Sequence, residues 1–102
     1  MTEINNAHLN NKVGPVVRAG DIATAVCEAA IADNPGKDIQ IEDKVAYVRI
    51  QTDDELILRR ETLEEMIGRD FEMRELEINL ASFSGKIEGD SDHVRFYFTR
   101  HL

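Results

Sequence analysis

The sequence has little of the residues that build disulfide frameworks, membrane spans or secretion signals. Of its 102 residues, one is cysteine, two are proline, none is tryptophan and 6% are aromatic. A single cysteine cannot form an internal disulfide, which is typical of proteins in the reducing cytoplasm. No apolar run approaches the roughly 20 residues of a membrane span. The first residues also lack the basic and apolar regions of a secretory signal. We therefore expect a cytoplasmic protein without a membrane segment.

Positive charge is also scarce. Twelve Lys and Arg residues stand against 20 Asp and Glu, which gives a net charge of −8 at pH 7. Such a field repels nucleic acid and anionic membranes, and it favours a basic protein partner. The length fits one domain, large enough for a hydrophobic core without disulfides or metal ions.

The first part of the chain predicts an arm, a strand and a helix. Residues 1–12 are polar and Asn-rich without strand or helix period, which predicts a flexible arm followed by a single domain at 13–102. A strand is predicted over 13–18, and it should lie at a sheet edge or begin late because Pro15 cannot donate a ladder hydrogen bond. Helical spacing follows from Asp21, the candidate N-cap, to residue 33. Pro35-Gly36 then predicts a type II turn.

The remainder predicts mostly strands. Residues 39–50 alternate as a hairpin, and 55–59 form a further strand. Thr62 and Glu65 have the spacing of a capping box at the start of a short second helix. Alternation predicts strands at 75–80 and 94–98, with a bulge near Ser82 where the first alternation slips. The expected class is α+β in the order β-α-β-β-(β)-α-β-β, with two helices packed on small mixed or antiparallel sheets.

A search for catalytic or ligand-binding patterns finds none that is specific. The glycines occur singly, so a phosphate loop or dinucleotide fingerprint is not predicted. Cys27 has the spacing of a small buried helical residue. His8 and His101 lie near the chain ends, and His93 lies in a turn with two aspartates, which is too few ligands for a metal site. We predict no catalytic residue, no metal and no cofactor, and therefore an interaction module.

The carboxylates and aromatics support the same interpretation. Dense carboxylates from residue 61 to 77 are interleaved with arginines, as on a solvated face. The aromatic residues have strand spacing and are expected in the core. Phe83 is the possible exception to this expectation, because it lies where the alternation slips.

Five segments of the chain resemble one protein family. They closely resemble the effector (coupling) proteins of bacterial multicomponent monooxygenases, nearest to those of toluene monooxygenases. Phenol hydroxylase effectors and the regulatory protein B of soluble methane monooxygenase are more distant. The resemblance covers about residues 13–98, and the segments that carry it are 13–21, 33–37, 42–50, 75–85 and 94–98.

The resemblance implies a cofactorless protein, monomeric when free, that docks on the α subunit of a separate di-iron hydroxylase. Such an effector carries no electrons, which reach the hydroxylase from an NADH-dependent reductase, through a Rieske ferredoxin in toluene systems. It raises turnover, couples electron use to hydroxylation, and shapes regiospecificity.

The resemblance also implies a partner-binding segment. Residues matching 79–85 face the hydroxylase near its substrate entrance. Asn79, Ser82 and Gly85 match the methane-type pattern, whereas Ala81 and Phe83 replace small hydroxyl residues. The expected partner-binding residues are Asn79, Ala81, Ser82, Phe83, Ser84 and Gly85.

Two other functions stay open from the residues alone. A regulatory domain that binds a small molecule predicts an enclosed pocket with converging polar groups. A cofactorless enzyme predicts a carboxylate or histidine in a cleft with a strongly shifted pKa. An effector predicts instead an open face with few titratable groups.

Overall fold

The computed structural model describes residues 11–99, which form two antiparallel sheets and three helices. The strands are β1 (Lys12–Arg18), β2 (Gln40–Asp43), β3 (Tyr47–Asp53), β4 (Glu55–Arg59), β5 (Leu80–Ser84), β6 (Lys86–Gly89) and β7 (His93–Tyr97). The helices are α1 (Asp21–Asp33), α2 (Arg60–Ile67) and α3 (Met73–Asn79). The predicted α+β class and element order are confirmed, with a third helix and the strand β6 added. Residues 1–10, most of the predicted arm, lie outside the described part.

The first sheet has the order β2-β3-β1-β5 and the second has the order β4-β7-β6. Within residues 11–99, β5 is therefore an edge strand of one sheet and β6 an edge strand of the other. The core lies between the sheets and under α1, which packs on α2 and β4. Its largest fully buried side chains include Ile50, Leu56, Leu58, Leu63 and Phe96.

The prediction that the first strand lies at a sheet edge or begins late is wrong, because β1 lies between β3 and β5 and begins at Lys12. Pro15 is tolerated there because the pairing of β1 with β3 is interrupted. Val13 pairs with Thr52 and Val16 with Arg49, but no partner on β3 is recorded for the two residues between. Burial of Pro15 in the core offsets the missing ladder hydrogen bond.

The predicted strand over 75–80 is also wrong, since α3 continues to Asn79 and β5 begins at Leu80. The alternation required Ile78 to lie on the buried face of a strand, but its side chain is 68% exposed. Met73 and Leu76 form the buried face of the helix instead. The carboxylate of Glu75 accepts the backbone N–H of Glu72 at 3.1 Å, as in a capping box. This cap and the i, i+3 apolar pair favour helix over strand.

Two predicted helix starts are displaced. Gly20, not Asp21, occupies the N-cap of α1. Thr62 does not cap α2, which begins at Arg60; its hydroxyl donates instead to Asp33 at 2.7 Å. The turn after α1 is confirmed, with Gly36 at φ +82° in the position that a type II turn requires.

The end of α1 is tied to β4 by the buried Asn34. Its amide nitrogen donates to the carbonyls of Ala30 and Ile57, both at 2.8 Å, and its oxygen accepts the N–H of Ile57 at 2.9 Å. Asp33 adds a bond from the backbone N–H of Arg59 at 2.9 Å. These bonds fix the helix against the second sheet.

Candidate functional site

The six residues expected to bind a partner form one continuous surface from the end of α3 through β5. Asn79 is the last residue of α3, and Gly85 separates β5 from β6. Ala81, Ser82 and Phe83 are exposed, whereas Asn79 and Ser84 are half-buried. We call residues 79–85 the β5 surface. Its outer edge has no strand partner within residues 11–99.

The predicted bulge is present in β5, at Ala81. Ser82 pairs with Val16 on β1 and Leu80 pairs with the next residue, Val17, so Ala81 is the extra residue. A bulge bends and twists its strand and re-aims the side chains beside it. This is the physical cause of the slip in alternation.

Phe83 lies at the rim of the core. It pairs with Pro15 on β1, and its ring centroid lies 6.0 Å from that of Phe96 at an interplanar angle of 51°. Its side chain is 42% exposed, whereas Phe96 is completely buried. Ser82 and Ser84 point to the opposite face of the strand, since successive side chains alternate. One part of the Phe83 ring therefore packs against the core, and the other part is exposed to solvent.

The two ends of the β5 surface are held by different means. The side-chain amide of Asn79 donates to the carbonyl of Glu75 at 2.9 Å, which fixes it to the last turn of α3. Gly85 has φ +89°, and a Cβ there would lie 2.6 Å from Val13 Cγ1 and 2.7 Å from the carbonyl oxygen of Tyr97. Only glycine fits where the chain crosses between the sheets.

Large apolar side chains flank the β5 surface. Ile78 is 68% exposed on α3 and Ile87 is 38% exposed on β6. Exposed apolar groups close to one another are typical of an interaction site. Sequence reasoning missed Ile78 because the strand prediction placed it on a buried face, and it missed β6 altogether. The isolated Ile87 between charged neighbours gave no periodic signal.

Two depressions lie beside this surface, between α3 and the hairpin formed by β6 and β7. The inner cavity has a volume of about 360 Å³ and an apolar floor that includes Leu76, Leu80 and Phe96. The outer one is an open, acidic groove of about 970 Å³. In the part of the chain described, every buried side-chain nitrogen or oxygen has a hydrogen-bond partner. This geometry favours an open docking face over an enclosed small-molecule site.

The titratable groups show the perturbations of ion pairs and turns. The Arg69 guanidinium and the Glu72 backbone N–H lower the pKa of Glu75. Hydrogen bonds from the Asp92 and His93 backbone lower the pKa of Asp90. A general acid at neutral pH requires the opposite shift in a carboxylate.

Cys27 and the histidines provide no candidate nucleophile or metal centre in the described ranges. Cys27 is half-buried against the core, and burial raises the pKa of its thiol. An activated thiol has a lowered pKa. His93 Nδ1 lies 3.0 Å from an Asp90 carboxylate oxygen. His8 and His101 lie outside the described residues. Between residues 11 and 99, no three potential ligands come together as a metal site would require.

Membrane spanning was also assessed on the helices. None of the three helices within residues 11–99 is long and apolar enough to cross a membrane.

Comparison with known proteins gives concordant matches over most of the chain. The sequence model of the MmoB/DmpM family matches residues 11–97. An alkene monooxygenase system effector subunit of Xanthobacter autotrophicus strain Py2 is 43% identical over 86% of this chain and 87% of its own. DmpM, the stimulatory component of a phenol 2-monooxygenase of Pseudomonas sp. strain CF600, is 36% identical over 71% of this chain and 78% of its own. One chain of a solved phenol hydroxylase–regulatory protein complex matches with a TM-score of 0.74 and 34% identity, over 86% of this chain and 99% of that chain.

Proposed function

The chain belongs to the MmoB/DmpM family, and from this premise we propose that it acts by docking on the hydroxylase of a multicomponent monooxygenase. It is an effector subunit and not the oxygenating component. The observation that carries this conclusion is the 43% identity to an effector subunit over 87% of that subunit's length.

The surface proposed for docking is the β5 surface together with the exposed Ile78. It supplies a strand edge that is unpaired among residues 11–99, the half-exposed ring of Phe83, and the hydroxyl groups of Ser82 and Ser84. Central aromatic and apolar groups provide most of the binding energy in such contacts, and polar groups at the rim fix orientation. The hydrogen bond from Asn79 to Glu75 and the close contacts around Gly85 restrain the two ends of this surface.

The proposed mechanism is a shift in the conformational equilibrium of the hydroxylase. A bound protein changes such an equilibrium only by its difference in affinity for the two states. Moving a ratio of 1:99 to 99:1 takes about 5.5 kcal/mol. In this proposal the effector thereby tunes the geometry and access of the di-iron site that the hydroxylase α subunit holds. The consequences are faster turnover, tighter coupling of electron use to hydroxylation, and altered regiospecificity.

The finer identity is also part of the proposal. The partner system is a toluene-type aromatic monooxygenase in the cytoplasm, with an NADH-dependent reductase and a Rieske ferredoxin. The effector is a monomer when free. The resemblance of five segments to toluene monooxygenase effectors supports this choice, and a phenol monooxygenase component among the relatives agrees with an aromatic substrate.

Reconstitution tests the function directly. Purified toluene-type hydroxylase, ferredoxin and reductase are assayed for NADH use and cresol formation with increasing amounts of this chain. We expect higher turnover, more product per NADH and a changed ratio of ring positions. Unchanged values in all three at saturating effector would overturn the function, and a positive result only with a phenol or alkene hydroxylase would correct the substrate class.

A further inference from the structure

The two depressions between α3 and the β6–β7 hairpin are one groove. Both are lined by Met73, Glu77 and Asp90, so the inner cavity of about 360 Å³ adjoins the outer one of about 970 Å³ along these three residues. We call this the α3–hairpin groove. It lies beside the β5 surface, since Leu80 is the first residue of β5 and also lines the inner cavity.

The inner end of the groove is apolar and reaches the core. Ile87 is 38% exposed and Leu80 is half-buried, so both present apolar surface to the cavity. A volume of about 360 Å³ is within the roughly 300–1,000 Å³ of pockets that bury a ligand group. The apolar lining consists of Met73, Leu76, Leu80, Ile87, Val94 and Phe96.

The mouth and outer end are strongly acidic. Eight carboxylates line the groove against two arginines, Arg60 and Arg74. Arg60 lies 3.1 Å from Glu64 and Arg74 lies 3.3 Å from Glu72. Two arginines outside the lining also pair with groove carboxylates, Arg69 with Glu75 at 3.0 Å and Arg95 with Glu88 at 2.8 Å. Eight carboxylates therefore stand against four arginines, and the groove keeps a surplus of negative charge. The exposed carboxylate of Glu77 has no hydrogen bond or ion pair within residues 11–99. An apolar slot surrounded by surplus negative charge is complementary to an apolar side chain flanked by cations.

We propose that the α3–hairpin groove seats a basic amphipathic segment of the partner hydroxylase, with one bulky apolar side chain in the inner cavity and Lys or Arg against Glu77 and Asp90. This inference rests on the proposed function and adds a second contact to the β5 surface. The binding mode is that of a helix or extended segment laid into a groove.

The charges favour this occupant over the others available. A second copy of this chain carries a net charge of −8 and would be repelled. Residues 1–10 of the chain contain one acidic residue and no Lys or Arg, so they do not complement the mouth. A neutral hydrocarbon could use the apolar floor, but it would gain nothing from eight carboxylates.

Charge reversal at Glu77 is the main test. Glu77→Lys is compared with Glu28→Lys, an equal change at an exposed glutamate on α1. Binding of each folded variant to purified hydroxylase is measured by calorimetry between 0.05 and 0.5 M salt, roughly the range over which screening shortens to a few ångströms. We expect Glu77→Lys to raise Kd by about tenfold at low salt, an effect that fades with added salt, and Glu28→Lys to change it less than about twofold. Equal effects of the two variants would overturn the groove as a docking site.

The apolar floor is tested separately with Ile87→Lys and its control Ile31→Lys, which changes an isoleucine that is 58% exposed on α1. A lysine is tolerated on an edge strand such as β6, and thermal unfolding confirms the fold. We expect weaker hydroxylase binding only for Ile87→Lys. Wild-type binding by both folded variants would contradict the proposal.

A probe that does not contain hydroxylase separates this inference from the proposed function. The isotope-labelled full chain is titrated by NMR with an amidated Leu/Lys peptide of helical pattern, and with the matching Leu/Glu peptide. We expect shifts of the Leu76, Ile87 and Val94 amides with the Leu/Lys peptide alone. Shifts with neither peptide, or shifts produced only by toluene, by deletion of residues 1–10 or by raising the protein concentration, would reject a basic segment as the occupant. Failure to stimulate any hydroxylase would reject the proposed function while leaving this peptide result to stand.

Discussion

Replacement of Phe83 by alanine separates the packing of this ring in the core from its proposed role in docking. A completely buried phenylalanine costs about 3–5 kcal/mol when truncated to alanine. Phe83 is 42% exposed, and its buried part contacts Phe96. If the cost is proportional to the buried fraction of the side chain, Phe83→Ala should lower the free energy of unfolding by about 2–3 kcal/mol. Since small domains are stable by about 5–15 kcal/mol, the variant should remain folded at 25 °C.

The same substitution should weaken binding to the hydroxylase by more than the stability loss can explain. The exposed part of the ring lies on the β5 surface, where truncation of a central aromatic group costs about 2 kcal/mol or more in binding. That corresponds to a rise in Kd of about 30-fold. Tyr47→Ala is the matched control, because Tyr47 is 44% exposed on β3 and lies outside the β5 surface.

Urea unfolding followed by circular dichroism gives the stability, and calorimetric titration with hydroxylase gives the Kd of the folded variants. Phe96→Ala provides the reference for a completely buried ring. A loss for Phe83→Ala as large as for Phe96→Ala, with a Kd equal to that of Tyr47→Ala, would refute the reasoning and assign Phe83 to the core alone.

Three further outcomes follow from contacts in the described residues. Gly85→Ala should destabilise the domain by about 2 kcal/mol or more, because φ +89° is strained for alanine and its Cβ would clash with backbone and side-chain atoms, and thermal unfolding measures this. Asn34→Ala should cost about 2–4 kcal/mol in urea unfolding, since it leaves the N–H and carbonyl of Ile57 without their partners, whereas a cost below 1 kcal/mol would contradict the assignment. The Arg69 guanidinium lowers the pKa of Glu75, so this carboxylate stabilises the fold above its ordinary pKa near 4.3 and ceases to do so as the pH falls through its lower folded value. The stability advantage of wild type over Glu75→Gln should therefore be greater at pH 7 than at pH 3, and a difference independent of pH would refute this linkage.

The fold was predictable from sequence wherever a local pattern had one physical interpretation. The turn at Pro35-Gly36 depends on the backbone preferences of two single residues, and it is confirmed. The segment 75–80 was not predictable in the same way, because a six-residue alternation also fits a short helix with one exposed isoleucine. The position of β1 inside its sheet depends on which strands pair with it, and such long-range pairing leaves no local signal.

The candidate site was likewise predictable from the sequence only in part. The slip in alternation indicated a bulge near Ser82, and the bulge is found at the adjacent Ala81. The family resemblance is confirmed by the match to residues 11–97. The assignment of residues 79–85 to partner binding stays a prediction. The α3–hairpin groove could not be foreseen, because it is formed by residues from α3, β6 and β7 that meet only after folding.

The bulge at Ala81 also affects how readily this strand edge could pair with another copy of the chain. A free strand edge can template pairing with other chains, which leads to fibres. Here the edge strand is five residues long, is interrupted at its second residue, and passes through Gly85 into another short strand with charged side chains at Lys86 and Glu88. Along β5 and β6, this side of the molecule therefore presents two short strand edges and not one long, regular edge. The irregularity that shapes the β5 surface also makes that surface a poor template for aggregation.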